Sequence, residues 1–309
     1  MLASVFNKSR PINYVIISVG LVLFYFLYLF KDTEWANDYF SILLKTGLFL
    51  LLAGALLLVN FITKRNTLTK NNTYAMLLFL AFLVLFPTTL VNENIIISNF
   101  FILLALRRLI SLQSLIAPKE KIFDASFWIL AAALFHFWSI LYMVLVFVSI
   151  VFHAARDYRN WVIPFIAFFG VAVIYTMAIF MTGRGFINEV NEGVSVSFDF
   201  TYFENIYQNI ALAVYSSFVV LFGATQLVTV SSRPLNLQSS YKKIIFSFFI
   251  GVAIYVLSGD KNNSFLVFTF APLAILGANY LESQENKWFR ESVLGVFVAI
   301  AVFLFVSQL

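Results

Sequence analysis

Apolar stretches of about 20 residues, the length that crosses a bilayer as a helix, recur from one end of this chain to the other. They predict spans at Ile12–Phe30, Ser41–Thr63, Thr73–Val91, Asn94–Ala117, Ser126–Phe152 and Val162–Met181. Four more follow at Ile206–Val230, Ile244–Leu257, Phe265–Leu281 and Ser292–Gln308. Backbone groups in lipid must be satisfied within their own segment, so these read as helices and not as open strands. The first stretch has no small-residue cleavage site and reads as a retained helix. The expected fold is all-α: a polytopic membrane helix bundle in which residues 1–309 form one integral membrane domain.

Ser126–Phe152 decides the topology, because it is long for one crossing and short for two. Broken into a hairpin near His136–Ser139, it sorts the cations. Sixteen of the twenty Lys and Arg residues then fall on one side. They occur around Lys8 and Arg10, Lys64 to Lys70, Arg107 and Arg108, Lys119 and Lys121, Arg156 and Arg159, Arg233 to Lys243, and Lys287 and Arg290. Lys31, Arg184 and Lys261 fall in loops on the other side, and Lys45 falls inside a span. An excess of Lys and Arg marks cytoplasmic loops. The expectation is about eleven helices with the N-terminus cytoplasmic and the C-terminus periplasmic, in the bacterial inner membrane.

Composition agrees and narrows the chemistry. The chain is 61% hydrophobic and 11% charged. Its net charge of +5 is spread over many short loops, which excludes a nucleic-acid footprint. Cysteine is absent, so disulfides, thiol catalysis and cysteine metal sites are excluded. Two histidines, one of them on the cytoplasmic side, exclude a multi-histidine iron centre.

Candidate chemistry collects at the outer face. Nine of the fifteen acids lie there, and Asp32, Glu34 and Asp38 crowd into the first outer loop. Carboxylates so placed could bind a divalent cation, with Asp32 as the metal ligand, or act as a general base on an acceptor hydroxyl. They read equally as a solvated acidic rim. Glu93 sits in a tight turn that could face the same cavity, or serve only the turn. His136, at the hairpin tip among aromatic residues, could position a substrate or simply pack. Asp260 and Lys261 suggest a local ion pair, and Lys45 a residue snorkelling outward. Arg184 is a cation at an outer span end and could hold a phosphate. Arg107 and Arg108 end the fourth span, where they could bind an anionic lipid or a lipid diphosphate, or anchor orientation. Alternating residues around Val194–Thr201 suggest that the outer loop 183–205 is partly structured.

Three segments carry a resemblance: Arg107–Leu112, Lys121–Trp128 and Arg156–Trp161. They resemble an uncharacterised family of bacterial multipass inner-membrane proteins, and that resemblance implies no activity. The order of features is also similar to that of C-type membrane glycosyltransferases, which use polyprenyl-phosphate sugars. The matching features are acids after the first helix, a short helical hairpin, and a long outer loop at Gly183–Asn205. The first outer loop is shorter here than in those enzymes. This second resemblance implies polyprenyl-phosphate as a lipid partner, Asp32 as base and Arg184 as the group facing the departing phosphate. The competing expectations are a non-catalytic membrane subunit of an envelope complex, bound to membrane-protein partners, and, third, a transporter.

Overall fold

The computed structural model describes residues 2–31, 33–182, 196, 206–259 and 262–309, with the backbone alone at Glu34, Ala178 and Thr182. A short helix α1 (Leu2–Phe6) precedes α2 (Pro11–Leu29). Pro11 suits the first helical turn, where its missing N–H has no partner to lose. Asp38 caps α3 (Tyr39–Arg65). The next helix, α4 (Tyr74–Leu85), gives way at Phe86 to a 3-10 turn over Pro87–Leu90. The apolar pattern predicts a span running on to Val91; Pro87 ends it, since a residue before proline avoids helical backbone.

Asn92 caps α5 (Glu93–Ser111). That helix ends short of the expected Ala117, where Leu115 and Ala117 adopt left-handed backbone with φ of 54° and 47°. Then come α6 (Pro118–Phe135), a 3-10 stretch over Phe137–Tyr142 and α7 (Met143–His153). The chain continues through α8 (Arg159–Thr182), α9 (Ile206–Thr229), α10 (Leu235–Leu257), α11 (Val267–Ser283) and α12 (Lys287–Gln308). α10 starts at Leu235, well before the expected Ile244, so Lys242 and Lys243 lie inside a helix and not in a loop.

Among the described residues eight helices, α2, α3, α5 and α8 to α12, are long and apolar enough to cross a membrane. α4 and the Phe137–His153 segment are shorter apolar helices. The architecture is a polytopic helical bundle. The expected hairpin is present. His136 is extended (φ −146°, ψ 106°), and the Lys119–Asp157 ion pair, at 3.2 Å, brings the start of α6 back to the loop after α7.

One end of the bundle is knitted by contacts among its loops. Ser9 N–H donates to Asn71 O and Thr73 N–H to Phe6 O. Glu291 accepts from the N–H groups of Ala3 and Ser4. Glu282 accepts from Lys70 N–H and from the Asn72 amide. Tyr241 donates to Leu68 O, and Ser240 donates to Gln113. These contacts collect the sixteen cations of the sequence reading at a single basic end. The opposite end holds Lys31, whose Nζ donates to Gln308 O, and the Lys45–Glu93 ion pair.

Two helices are hidden inside. Every residue of α4 is buried, as is α11 from Val267 to Leu281. α4 rises only about 18 Å, short of the roughly 30 Å hydrocarbon core. Such a helix is tolerated where protein and not lipid surrounds it. α10 approaches α11 closely at Gly251, where an added Cβ would lie 2.7 Å from Thr269 Cγ2 and 3.1 Å from Phe268 backbone atoms. Pro272 lacks an N–H, so the Phe268 carbonyl has no donor in its own helix. The Tyr142 hydroxyl, fully buried, replaces it, lying 3.1 Å from Phe268 O and 3.2 Å from Ser247 O.

Candidate functional site

A groove of about 660 Å³ lies between α3 and α5, at the basic end. Helical spacing builds it. Lys64 and Arg65 lie one turn beyond Asn60 on α3, and Phe100, Leu104 and Arg107 follow one face of α5. The deep part is apolar, lined by Gly54, Leu57, Phe61, Phe100 and Leu104. The mouth is cationic, with Lys64, Arg65 and Arg107 beside Asn60 and no acid among the lining residues.

Each cation is placed by a specific neighbour. Lys64 Nζ donates to Ser9 Oγ and Tyr14 Oη, and sits 4.8 Å from the Tyr14 ring centroid. The Arg107 guanidinium lies 4.6 Å over the Phe61 ring, an arrangement that favours a cation electrostatically. Arg65 is exposed at the rim. From Gly54 to Arg65 the helix rises about 16 Å, close to one leaflet of a roughly 30 Å core. Gly54 marks the deep end: a Cβ there would fall 2.9 Å from Phe100 Cε2. A cationic mouth over an apolar trough one leaflet deep suits an anion carried on hydrocarbon.

The two arginines expected to act together are separated. Arg107 lines the groove, whereas Arg108 points elsewhere and pairs with Asp124 at 2.8 Å. Two lysines close the end of α5. Lys243, wholly buried, donates to Leu109 O at 2.6 Å, and Lys121 donates to Ser111 O at 2.8 Å and to Ser114 Oγ. The last carbonyls of a helix lack internal donors and carry partial negative charge, which accounts for a buried lysine beside no carboxylate.

At the opposite end the expected acids have other partners or lie outside the described residues. Asp32 and Arg184 are outside them, as are Asp260 and Lys261 and the side chain of Glu34. Asp38 accepts from Ser41 N–H at 3.2 Å, Phe40 N–H at 3.3 Å and Ser41 Oγ at 3.1 Å. Those N–H groups hold its carboxyl below the usual range, which makes it a weaker proton acceptor. Glu93 pairs with Lys45 at 3.2 Å, so Lys45 turns to an acid within the bundle. His136 Nε2 lies 3.2 Å from Ser258 Oγ, and its ring lies over Phe265 and Phe268. Of the loop 183–205 Val196 is described, in an antiparallel bridge to Ser258.

Charge sorting along the sequence places Lys64 and Arg65 on the basic side but does not join them to Arg107. The available signal was two basic pairs, each closing an apolar span that runs toward the same side.

No curated protein and no solved structure matches the chain significantly. One family model matches residues 1–309, from the first residue to the last. The chain belongs to that family, DUF6427, a family of unknown function.

Proposed function

We propose that this protein is a bacterial inner-membrane protein that holds a phosphate-bearing lipid in the groove between α3 and α5. The observation that carries this reading is the union of three cations at the mouth with an apolar trough one leaflet deep. Arg107 and Arg65 receive the phosphate through charge-assisted hydrogen bonds. Lys64 adds positive charge from its seat on Tyr14, and the hydrocarbon follows Leu57, Leu104 and Phe100 toward Gly54. A polyprenyl phosphate and an anionic phospholipid present the same chemistry to these groups.

Binding is favoured over sugar transfer as the role of the described residues. Transfer at the opposite face would rest on Asp32 and Arg184, while Asp38 is occupied as a helix cap and Glu93 as the partner of Lys45. The test is lipid titration of purified full-length protein, read by native mass spectrometry. Polyprenyl phosphate, phosphatidylglycerol and diacylglycerol are compared. Arg107→Gln should weaken both phosphate lipids by roughly tenfold or more, the size of one lost charged hydrogen bond. Leu57→Trp should block the trough from its exposed rim. The tighter of the two phosphate lipids identifies the ligand class. Diacylglycerol binding as tightly as either, or Arg107→Gln binding like wild type, would remove the proposal.

A further inference from the structure

A second cavity, about 360 Å³, opens sideways between α2 and α12. Its floor is the buried helix α4, through Leu77, Leu80, Ala81 and Val84. Ile17 and Gly20 of α2 form one wall, Val298 and Val302 of α12 the other, and Leu2, Val5 and Phe6 of α1 border the basic end. Every lining residue is apolar. Water needs two to four polar partners in such a space and finds none on these walls. A single hydrocarbon chain suits walls of this kind.

The basic end of the slot supplies a reason for that chain to carry a phosphate. Arg290, Leu294, Val298 and Ala301 follow one face of α12, so Arg290 stands two turns from the slot on its own side. The Arg290 Nε is shut away from water without a hydrogen-bond partner, and Arg290 takes part in none of the described ion pairs. The neighbouring carboxylate is spent: Glu291 accepts from the Ala3 and Ser4 N–H groups at 2.7 and 2.8 Å. Tyr74 completes the threshold by donating to Ala3 O at 2.7 Å. From Arg290 to Val302 the helix rises about 18 Å, near the depth of one leaflet.

We infer that this slot is a second lipid site, independent of the α3–α5 groove. It takes one acyl chain of a phospholipid from the basic-side leaflet, with the phosphate against Arg290. Such a lipid completes the wall of the bundle where α2 and α12 stand apart over α4. An unpaired guanidinium gains a charge-assisted bond, and the apolar slot walls of α2, α4 and α12 gain hydrocarbon contact.

The test uses full-length protein, delipidated in detergent and titrated with phosphatidylglycerol, with bound lipids counted by native mass spectrometry. Wild type should bind two lipids, and Arg107→Gln should weaken one of them. Arg290→Gln should weaken the other by roughly tenfold or more. Ala81→Phe should fill the slot from its floor. Should that variant fail to fold, Val302→Trp fills it from the exposed rim. Diacylglycerol should not occupy the second site. Loss with Arg290→Gln and persistence with Arg107→Gln supports this site even if the first groove is empty. Wild-type lipid binding by both Arg290→Gln and Val302→Trp would overturn it. So would a single bound lipid that Arg107→Gln removes.

Discussion

α11 and α8 are both apolar helices of spanning length, and the bundle treats them in opposite ways. The hydrophobic window of α11 is 100% buried, while that of α8 is 24% buried and that of α9 22%. The buried helix is nevertheless the less hydropathic one. It carries Thr269, Pro272 and Asn279, all enclosed. Each is matched by a neighbour: Tyr215 meets the Thr269 hydroxyl, Tyr142 serves the carbonyl freed by Pro272, and Tyr241 donates to Asn279 Oδ1. Lipid tails are as apolar as leucine, so hydrophobicity selects which segments cross but not which are central. Packing and polar satisfaction decide centrality. In α11 the polar residues are signs of burial.

Glycine substitution is the strongest way to break this contrast. Gly251→Ala pushes a methyl group against the Phe268 backbone, which cannot yield as a side-chain tip can. It should cost about 1–3 kcal/mol, the usual range for overpacking. Gly170 in α8 and Gly223 in α9 have nothing within 4 Å of an added Cβ. Alanine there should leave stability unchanged or raise it by up to about 1 kcal/mol through helix propensity. Thermal melting of the three variants in one detergent makes the comparison. Equal melting temperatures would end the claim that α10 and α11 meet through backbone.

Tyr142→Phe sharpens the same contrast with less force. It removes the donor shared by Phe268 O and Ser247 O and should cost about 1 kcal/mol, the net worth of a typical hydrogen bond. Tyr158→Phe, at a position 73% exposed, is the control and should melt like wild type.

Much of this was legible in the chain. The helix-bundle class followed from apolar length alone, and the hairpin at His136 followed from sorting cations by side. Central helices were not legible, because Tyr74–Leu85 reads as an ordinary lipid-facing stretch until Pro87 cuts it short. The groove was half legible. Arg107 was singled out, but its separation from Arg108 depends on the rotation of about 100° between successive helix positions and on Asp124 standing beside one of the two. Lys243 was misplaced because the polar start of α10, Asn236–Lys242, resembles a loop in composition. The duties of Asp38 and Glu93 were not legible: the cap depends on where α3 begins, and the ion pair joins Glu93 to Lys45, a partner distant in sequence.

Smaller effects belong to the helix ends. Asp38→Ala should lower the melting temperature by less than Tyr142→Phe, because it removes one exposed cap of α3. Asp157 gives the mildest and most conditional test. Its carboxyl is held below the ordinary 3.8, chiefly by the Arg159 N–H and next by the Lys119 side chain. A folded-state value below the unfolded one stabilises above the unfolded value and is lost as acid takes the pH down through the folded one. Wild type and Asp157→Asn should therefore differ slightly at neutral pH and converge below pH 3.8. A gap that persists in stronger acid would show that the residue acts by shape and not by charge.

The shortness of α4 also bears on how the protein is made. A helix that rises about 18 Å cannot be held by a bilayer on its own terms. The wall that encloses it comes in large part from α11 and α12, which begin at Val267 and Lys287. Chains emerge from the ribosome N-terminus first. More than two hundred residues, from Leu85 past Lys287, must then be translated before its final neighbours exist. Over that interval the future centre of the bundle is an incompletely sheltered segment, and the translocation machinery, or the hairpins on either side, must keep it from slipping out.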